Sequence, residues 1–157
     1  MSNIAPCLWF DDQAEEAAAF YTSIFEDSKI VAISRYGPEG MRPEGMAMTV
    51  TFRLAGQEFM ALNGGPEFTF SPAISLYVNC KTQEEVDELW EKLSEGGVKG
   101  QCGWLEDRYG VSWQIVPTAL GELLQGGTAE QSRQVMHALL QMRKLDIETL
   151  RLAFEQE

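Results

Sequence analysis

Sliding the chain by 54 positions lays the segment from Gly110 to Val116 (GVSWQIV) on Gly56 to Leu62 (GQEFMAL), with Gly56 over Gly110, Phe59 over Trp113, Met60 over Gln114 and Leu62 over Val116. The later copy closes a hairpin pattern, CGWLEDRYGVSWQIVP. Trp104 and Leu105 begin one strand, Asp107 to Gly110 reverse the chain, and Val111 to Val116 form a second strand that Pro117 stops. Gly110 supplies the positive-φ position such a reversal wants, Asp107 is placed to bond its own turn backbone, and Pro117 has no N–H for a ladder. Two further anchors repeat in the same order. Ala5 to Asp11 matches Ala73 to Asn79 at an offset of 68, and the following helix matches at 69, with Glu15, Glu16, Phe20, Tyr21 and Ile24 over Glu84, Glu85, Leu89, Trp90 and Leu93. An internally duplicated chain folds as two similar modules, and this constrains everything else.

Each module reads as βαβββ. The first has a short apolar strand from Ile4 to Phe10 and a helix from Asp12 to Phe25 with Asp11 or Asp12 as N-cap. Strands follow over Lys29 to Tyr36, Met46 to Leu54 and Gln57 to Asn63, with a Gly/Pro-rich loop from Gly37 to Gly45. After a loop from Gly64 to Pro72 the order restarts with Ala73 to Asn79. The next helix opens on a capping box, Thr82 with Glu85, and ends at Gly96-Gly97. A short strand near Val98 to Gln101 and the hairpin complete it. Beyond Pro117 the pattern is helical: a short turn over Leu120 to Leu124, an amphipathic helix over Thr128 to Arg143, and a last helix capped by Asp146. The expectation is an α+β protein, a single domain over 1–157 with internal modules 1–66 and 70–117 and a helical extension 118–157. Its two sheets join around a cleft with the helices outside. The apolar faces of the extension fit either the same subunit or a partner.

With 24 acidic against 12 basic side chains the net charge is −12, which repels a phosphate backbone and an anionic membrane surface. No segment approaches the roughly 18 apolar residues a membrane span needs, and the N-terminus lacks a basic-then-apolar layout. A soluble cytoplasmic protein is expected, with no nucleic-acid or membrane partner. Cys7, Cys80 and Cys102 are an odd set at long spacings and suggest neither a disulfide framework nor a zinc cluster.

The paired modules, the helix carrying AFYTSIF and the closing D-x-x-G-x-x-W-Q-I strand resemble the vicinal oxygen chelate superfamily of glyoxalase I, bleomycin-resistance proteins, fosfomycin-modifying enzymes and extradiol dioxygenases. More closely, LWFDDQAEEAAAFYTSIF, ALNGGPEFTFSPAISLYVNC, QCGWLEDRYGVSWQIVP and VMHALLQMRKLDIETL resemble its PhnB-like branch, also labelled 3-demethylubiquinone-9 3-methyltransferase. The resemblance implies a cleft metal held by His, Glu or Gln at four places. The matching positions here are Ala5 (or Pro6), Met60, Ala73 and Gln114, of which only Gln114 has a usable oxygen. One neutral amide does not hold a divalent metal, and the lone His137 supplies no cluster. Nor is Gly64-Gly65-Pro66 followed by the helix that a conventional S-adenosylmethionine site requires. The methyltransferase label is therefore read as a name only.

By analogy with those metal positions, strand alternation turns Cys7 and Trp9, and Ser75 and Tyr77, toward the cleft. Met60 and Gln114 join them, with Glu58, Leu62, Ser112 and Val116 as same-face neighbours. Trp9, Met60, Tyr77 and Gln114, with Trp104 and Phe68 or Phe70, form a mostly apolar ligand surface. Arg53 is an anion-binding candidate if Thr49, Thr51 and Arg53 share that face. Glu58 is the strand carboxylate placed to act as a base, and Cys7 is a nucleophile only beside an electropositive group. The expectation is a metal-independent homodimer without cofactor that binds a small, partly apolar or aromatic molecule. Two alternatives stand beside it: a metal-dependent glyoxalase-type lyase, transferase or dioxygenase using Gln114, and a drug-sequestering resistance protein.

Overall fold

Alternating segments become strands wherever one of their faces reaches the apolar stripe of a helix. In the computed structural model, which describes residues 3–156, this happens twice. The chain divides into two compact units, one up to Phe70 and one from Ser71. The first contains β1 (Cys7–Phe10), α1 (Ala14–Ile24), β2 (Lys29–Arg35), β3 (Ala47–Leu54) and β4 (Gln57–Asn63). Its sheet runs β1-β4-β3-β2, with β1 parallel to β4 and the other pairs antiparallel. Helix α1 buries Ala14, Ala17, Ala18 and Tyr21 on one face of this sheet, against Val50, Phe52, Phe59 and Ala61. Tyr21 stacks on Phe52 with ring centroids 6.3 Å apart, and Phe52 on Phe59 at 5.5 Å.

The second unit repeats the plan with β5 (Ser75–Cys80), α2 (Gln83–Ser94), β6 (Val98–Lys99), β7 (Trp104–Glu106) and β8 (Ser112–Pro117), in the sheet order β5-β8-β7-β6. Helix α2 buries Val86, Trp90 and Leu93 over Leu105, Trp113 and Ile115. The β7–β8 reversal is organised by Asp107, which is 3 % exposed. One carboxylate oxygen accepts from the backbone N–H of Tyr109 (2.9 Å) and of Val111 (3.0 Å), and the other from the Trp113 indole N–H at 2.9 Å. Gly110 takes φ 90°, as the turn demands.

The extension forms α3 (Thr118–Gly126), α4 (Ala129–Leu140) and α5 (Ile147–Glu155). It packs within its own unit: Leu120, Val135, Leu139, Leu145 and Leu150 enclose Val116 of β8, with Cys102 at the margin. Backbone bonds from Cys102 N to Met142 O and from Gly103 N to Arg143 O, both 2.8 Å, fasten it to the start of the hairpin. The Gln83 side chain accepts from Ile147 N (2.8 Å) and donates to Leu145 O (3.0 Å), and Lys144 pairs with Asp87 at 2.9 Å. The α+β fold with two βαβββ modules and C-terminal helices is thus as the duplication implies.

Several boundaries and contacts differ from the sequence reading. Strand β1 begins at Cys7 and β5 at Ser75, so Ala5, Pro6 and Ala73 precede the strands. The registers place Cys7 opposite Met60 but Tyr77 opposite Gln114, so the first strands of the modules correspond at 70 positions rather than 68. A slip of two leaves every side chain on the same face. Val116 is not on an open face, because the extension covers it. Neither Asp11 nor Asp12 caps α1; its N-cap is Gln13, without a side-chain bond. The cap comes from Asn63 at the end of β4, whose Oδ1 accepts from Ala14 N at 2.8 Å while its Nδ2 donates to Ala47 O at 2.9 Å. At α2 the Thr82 half of the capping box forms, but the Glu85 carboxylate accepts from Lys81 N (3.0 Å). A full capping box instead opens α4, at Thr128 and Gln131.

Asn63 is 1 % exposed, so its loss strands a buried N–H and a buried carbonyl at once. Asn63→Ala is expected to lower the unfolding free energy by about 2–4 kcal/mol, measured as a shift of the urea midpoint at unchanged slope.

Candidate functional site

The face of the first sheet turned away from α1 carries no helix of its own unit among the described residues. Pairing of Cys7 with Met60, Thr51 with Met60, Thr49 with Leu62 and Arg53 with Glu58 brings Cys7, Trp9, Thr49, Thr51, Arg53, Glu58, Met60 and Leu62 onto that one face. Trp9 is its best-fixed member. The indole N–H donates to Gly65 O at 3.0 Å, and Phe68 meets the ring edge-on with centroids 5.0 Å apart. Gly64 lies under the indole: a Cβ there would come within 2.4 Å of Trp9 ring carbons. The glycine is required by this close approach rather than by a turn. Phe70 packs edge-on against Phe10 at 5.1 Å, so the loop 64–70 folds back along β1. Trp9 remains half-buried, Met60 is 36 % exposed and Phe68 59 % exposed.

On the corresponding face of the second sheet Tyr77 and Trp104 flank Gln114 from the two neighbouring strands. The Gln114 amide donates to Ser75 Oγ at 3.0 Å, and Tyr77 is 54 % exposed. The structure therefore collects Cys7, Trp9, Met60, Glu58 and Arg53 on one face of one unit and Tyr77, Gln114 and Trp104 on one face of the other.

The two weak catalytic candidates gain little. Glu58 accepts from the Asn3 side-chain amide at 2.9 Å and lies opposite the exposed Arg53. Cys7 is an exposed residue, yet partial desolvation of its thiol by neighbouring groups raises the pKa above the ordinary value, which disfavours the thiolate a nucleophile needs. Cys80 is pushed further, up to about 11, by burial first and by Glu85 second. Arg42, passed over in the sequence as part of a Gly/Pro loop, approaches the same Gly64-Gly65 turn that Trp9 grips. A lone Arg between glycines and prolines has no periodicity to reveal its target.

Comparison with known proteins places this geometry. The model of the family described as 3-demethylubiquinone-9 3-methyltransferase matches residues 2–116. The chain belongs to that family. Within it, a Bacillus cereus PhnB protein is 44 % identical, with a TM-score of 0.69 over 74 % of this chain and 99 % of its own. A Pseudomonas aeruginosa protein shares the fold at 21 % identity, with a TM-score of 0.63 over 74 % of this chain and 98 % of its own. So does the genomically encoded fosfomycin resistance protein FosX of Listeria monocytogenes, solved with manganese(II) and sulfate, at 18 % identity and a TM-score of 0.53 over 72 % and 89 % of the two chains. The fold is that of the vicinal oxygen chelate proteins. Curated proteins give no match. The family match ends one residue before Pro117, so helices α3 to α5 of this PhnB-like chain lie beyond it.

Neither group that the fold and the family name imply fits the residues present. Of the four positions the resemblance names, Ala5 and Ala73 precede the strands and bring no donor, and the registers instead set Cys7 beside Met60 and Tyr77 beside Gln114. A thiol, a thioether, a phenol and an amide are a poor donor set for a hard or borderline divalent ion. Among the described residues no group of three or more His, Cys, Asp or Glu side chains is placed to hold a metal. For a methyl donor of the S-adenosylmethionine type, the Gly64-Gly65 turn leads into a loop and then β5, not a helix. The strand-to-helix connections at 11–13 and 81–82 contain no glycine. No step is routed through either group.

Two outcomes test these local assignments. Gly64→Ala is expected to displace the Trp9 indole and shift the tryptophan emission while the helical circular dichroism stays the same. For Cys80, the thiol of the unfolded chain ionises near its ordinary value of 9.0 and the folded one near 11. Stability is therefore expected to fall as pH rises between those values, by no more than about 3 kcal/mol. Cys80→Ala should flatten that part of the profile relative to the parent chain.

Proposed function

We propose that this PhnB-like chain binds a small, partly aromatic molecule on the face of its first sheet turned away from α1, without a metal. One observation carries the reading: the Trp9 indole is held at its N–H by Gly65 O, at its edge by Phe68 and from beneath by Gly64, yet stays half-open. A large flat apolar group fixed in advance loses little freedom on binding, which is what makes such residues effective anchors. Leu62 stands opposite Trp9, and Met60, two residues earlier on the same face of β4, is a deformable thioether that adapts to the outline of a ligand. Glu58 and Arg53, opposite each other on β4 and β3, form the polar rim. Tyr77, Trp104 and the Gln114–Ser75 pair are the proposed ligand-binding groups of the second sheet. The setting is a cytoplasmic homodimer, with the −12 charge keeping the chain from nucleic acid and anionic lipid. No helix among the described residues is long and apolar enough to cross a membrane.

Thermal unfolding with a panel of small aromatic compounds, and separately with EDTA and with zinc, nickel, manganese or iron, tests the reading. A binding compound is expected to raise the melting temperature logarithmically with its concentration, and chelator to leave it unchanged. Trp9→Ala should weaken that compound by about thirtyfold, as removal of a buried aromatic anchor does. Stoichiometric metal that raises the melting point would overturn the metal-free reading in favour of a metal-dependent enzyme.

A further inference from the structure

The segment joining β2 to β3 crosses back toward the turn that Trp9 grips. Its base is closed by backbone bonds from Tyr36 N to Met46 O and from Gly45 N to Tyr36 O, both 2.9 Å, and by the Tyr36 hydroxyl donating to Asn63 O at 2.7 Å. From this strap Arg42 reaches inward, with 26 % of its side chain exposed. Its Nη2 donates to Asp11 Oδ1 at 3.2 Å, and its Nη1 lies 3.2 Å from where a Cβ on Gly65 would stand. The guanidinium Nε is buried and has no hydrogen-bond partner among the described residues. An arginine presents five donors in a planar fork, and Asp11 engages it at one point only.

We propose that Arg42 receives the carboxylate of the bound molecule, so that the ligand held on Trp9 is an aromatic carboxylate; this rests on the reading of the Trp9 face given above. A buried donor without an acceptor is uncommon in a native site, and on a cation the acceptor that matches the Nε–Nη edge with two oxygens is a carboxylate. Phosphate has the same appetite for arginine. With Asp11 at hand and a chain charge of −12, a single negative charge is opposed less than a double one. The spacing is set by one dipeptide: Trp9 lies over Gly64 and bonds Gly65 O, while Arg42 lies against Gly65. A ring on the indole with a carboxylate on a short arm spans the two. Asp11 is half exposed and holds Arg42 by a single contact, so the ligand carboxylate takes its place as Asp11 turns to solvent.

The test is calorimetric titration of the full chain with phenylacetate and with phenylacetamide, which differ only in the charged group, at low salt. The acid is expected to bind at least about tenfold more tightly than the amide. Arg42→Met should weaken the acid far more than the amide and so remove that preference, Arg42→Lys should keep part of it, and Asp11→Asn should strengthen the acid more than the amide. An unchanged melting temperature establishes that each variant is folded. Equal binding of acid and amide by the parent chain, or a preference that survives Arg42→Met, overturns the Arg42 assignment and leaves the Trp9 reading standing. If neither compound binds and no other aromatic compound does, the Trp9 reading falls and the Arg42 assignment falls with it.

Discussion

The amide of Asn63 stands where three elements of the first unit end. One atom of it starts α1, another holds the first carbonyl of β3, and its own backbone carbonyl receives the Tyr36 hydroxyl at the base of the β2–β3 strap. Because the side chain is buried, neither of its two amide bonds has water as a substitute. The position of the helix over the sheet, and hence which face is left bare, follows from that contact. Position 117, which the 54-residue repeat aligns with Asn63, is a proline and supplies no such bond. The second unit starts α2 with the local Thr82 cap and fixes its last hairpin through Asp107 instead. The two modules share topology but not the polar contact that locks it.

That difference extends to the surfaces. In the first unit the face away from α1 carries Trp9 and Met60, with Phe68 of the following loop against the indole. In the second, part of the equivalent face is closed, since Val116 lies in the apolar cluster of the extension. The extension begins where the family match ends, so these three helices lie outside the matched core. Their attachment is polar as well as apolar. Gln83 joins the starts of α2 and α5, and the Gln83 hydrogen bond, then Lys144, holds the Asp87 carboxyl below its ordinary pKa.

The faces of the candidate site residues were legible because strand alternation is a strong signal. Cys7, Trp9, Glu58 and Met60 share a face in the structure as the period of two requires, and so do Tyr77, Gln114 and Trp104. The two-residue error in matching the first strands did no harm for the same reason. Arg42 was not legible. Its side chain is placed by a loop whose path depends on the Tyr36–Asn63 and Arg42–Asp11 contacts, all of them distant in sequence. Gly64 was visible as a residue but not as the seat of an indole, because close approach leaves no periodic trace.

The sequence by itself determined the duplicated βαβββ plan, the β7–β8 reversal with Asp107 and Gly110, and the caps at Thr82 and Asp146. Each depends on residues close along the chain or on a repeating pattern. Only the tertiary structure decided that Asn63 starts α1, that the extension covers Val116 of its own unit, and that Trp9 and Arg42 meet at one glycine pair. Those contacts join groups dozens of residues apart. They become favourable only once packing has excluded water from them, and no local propensity encodes that condition.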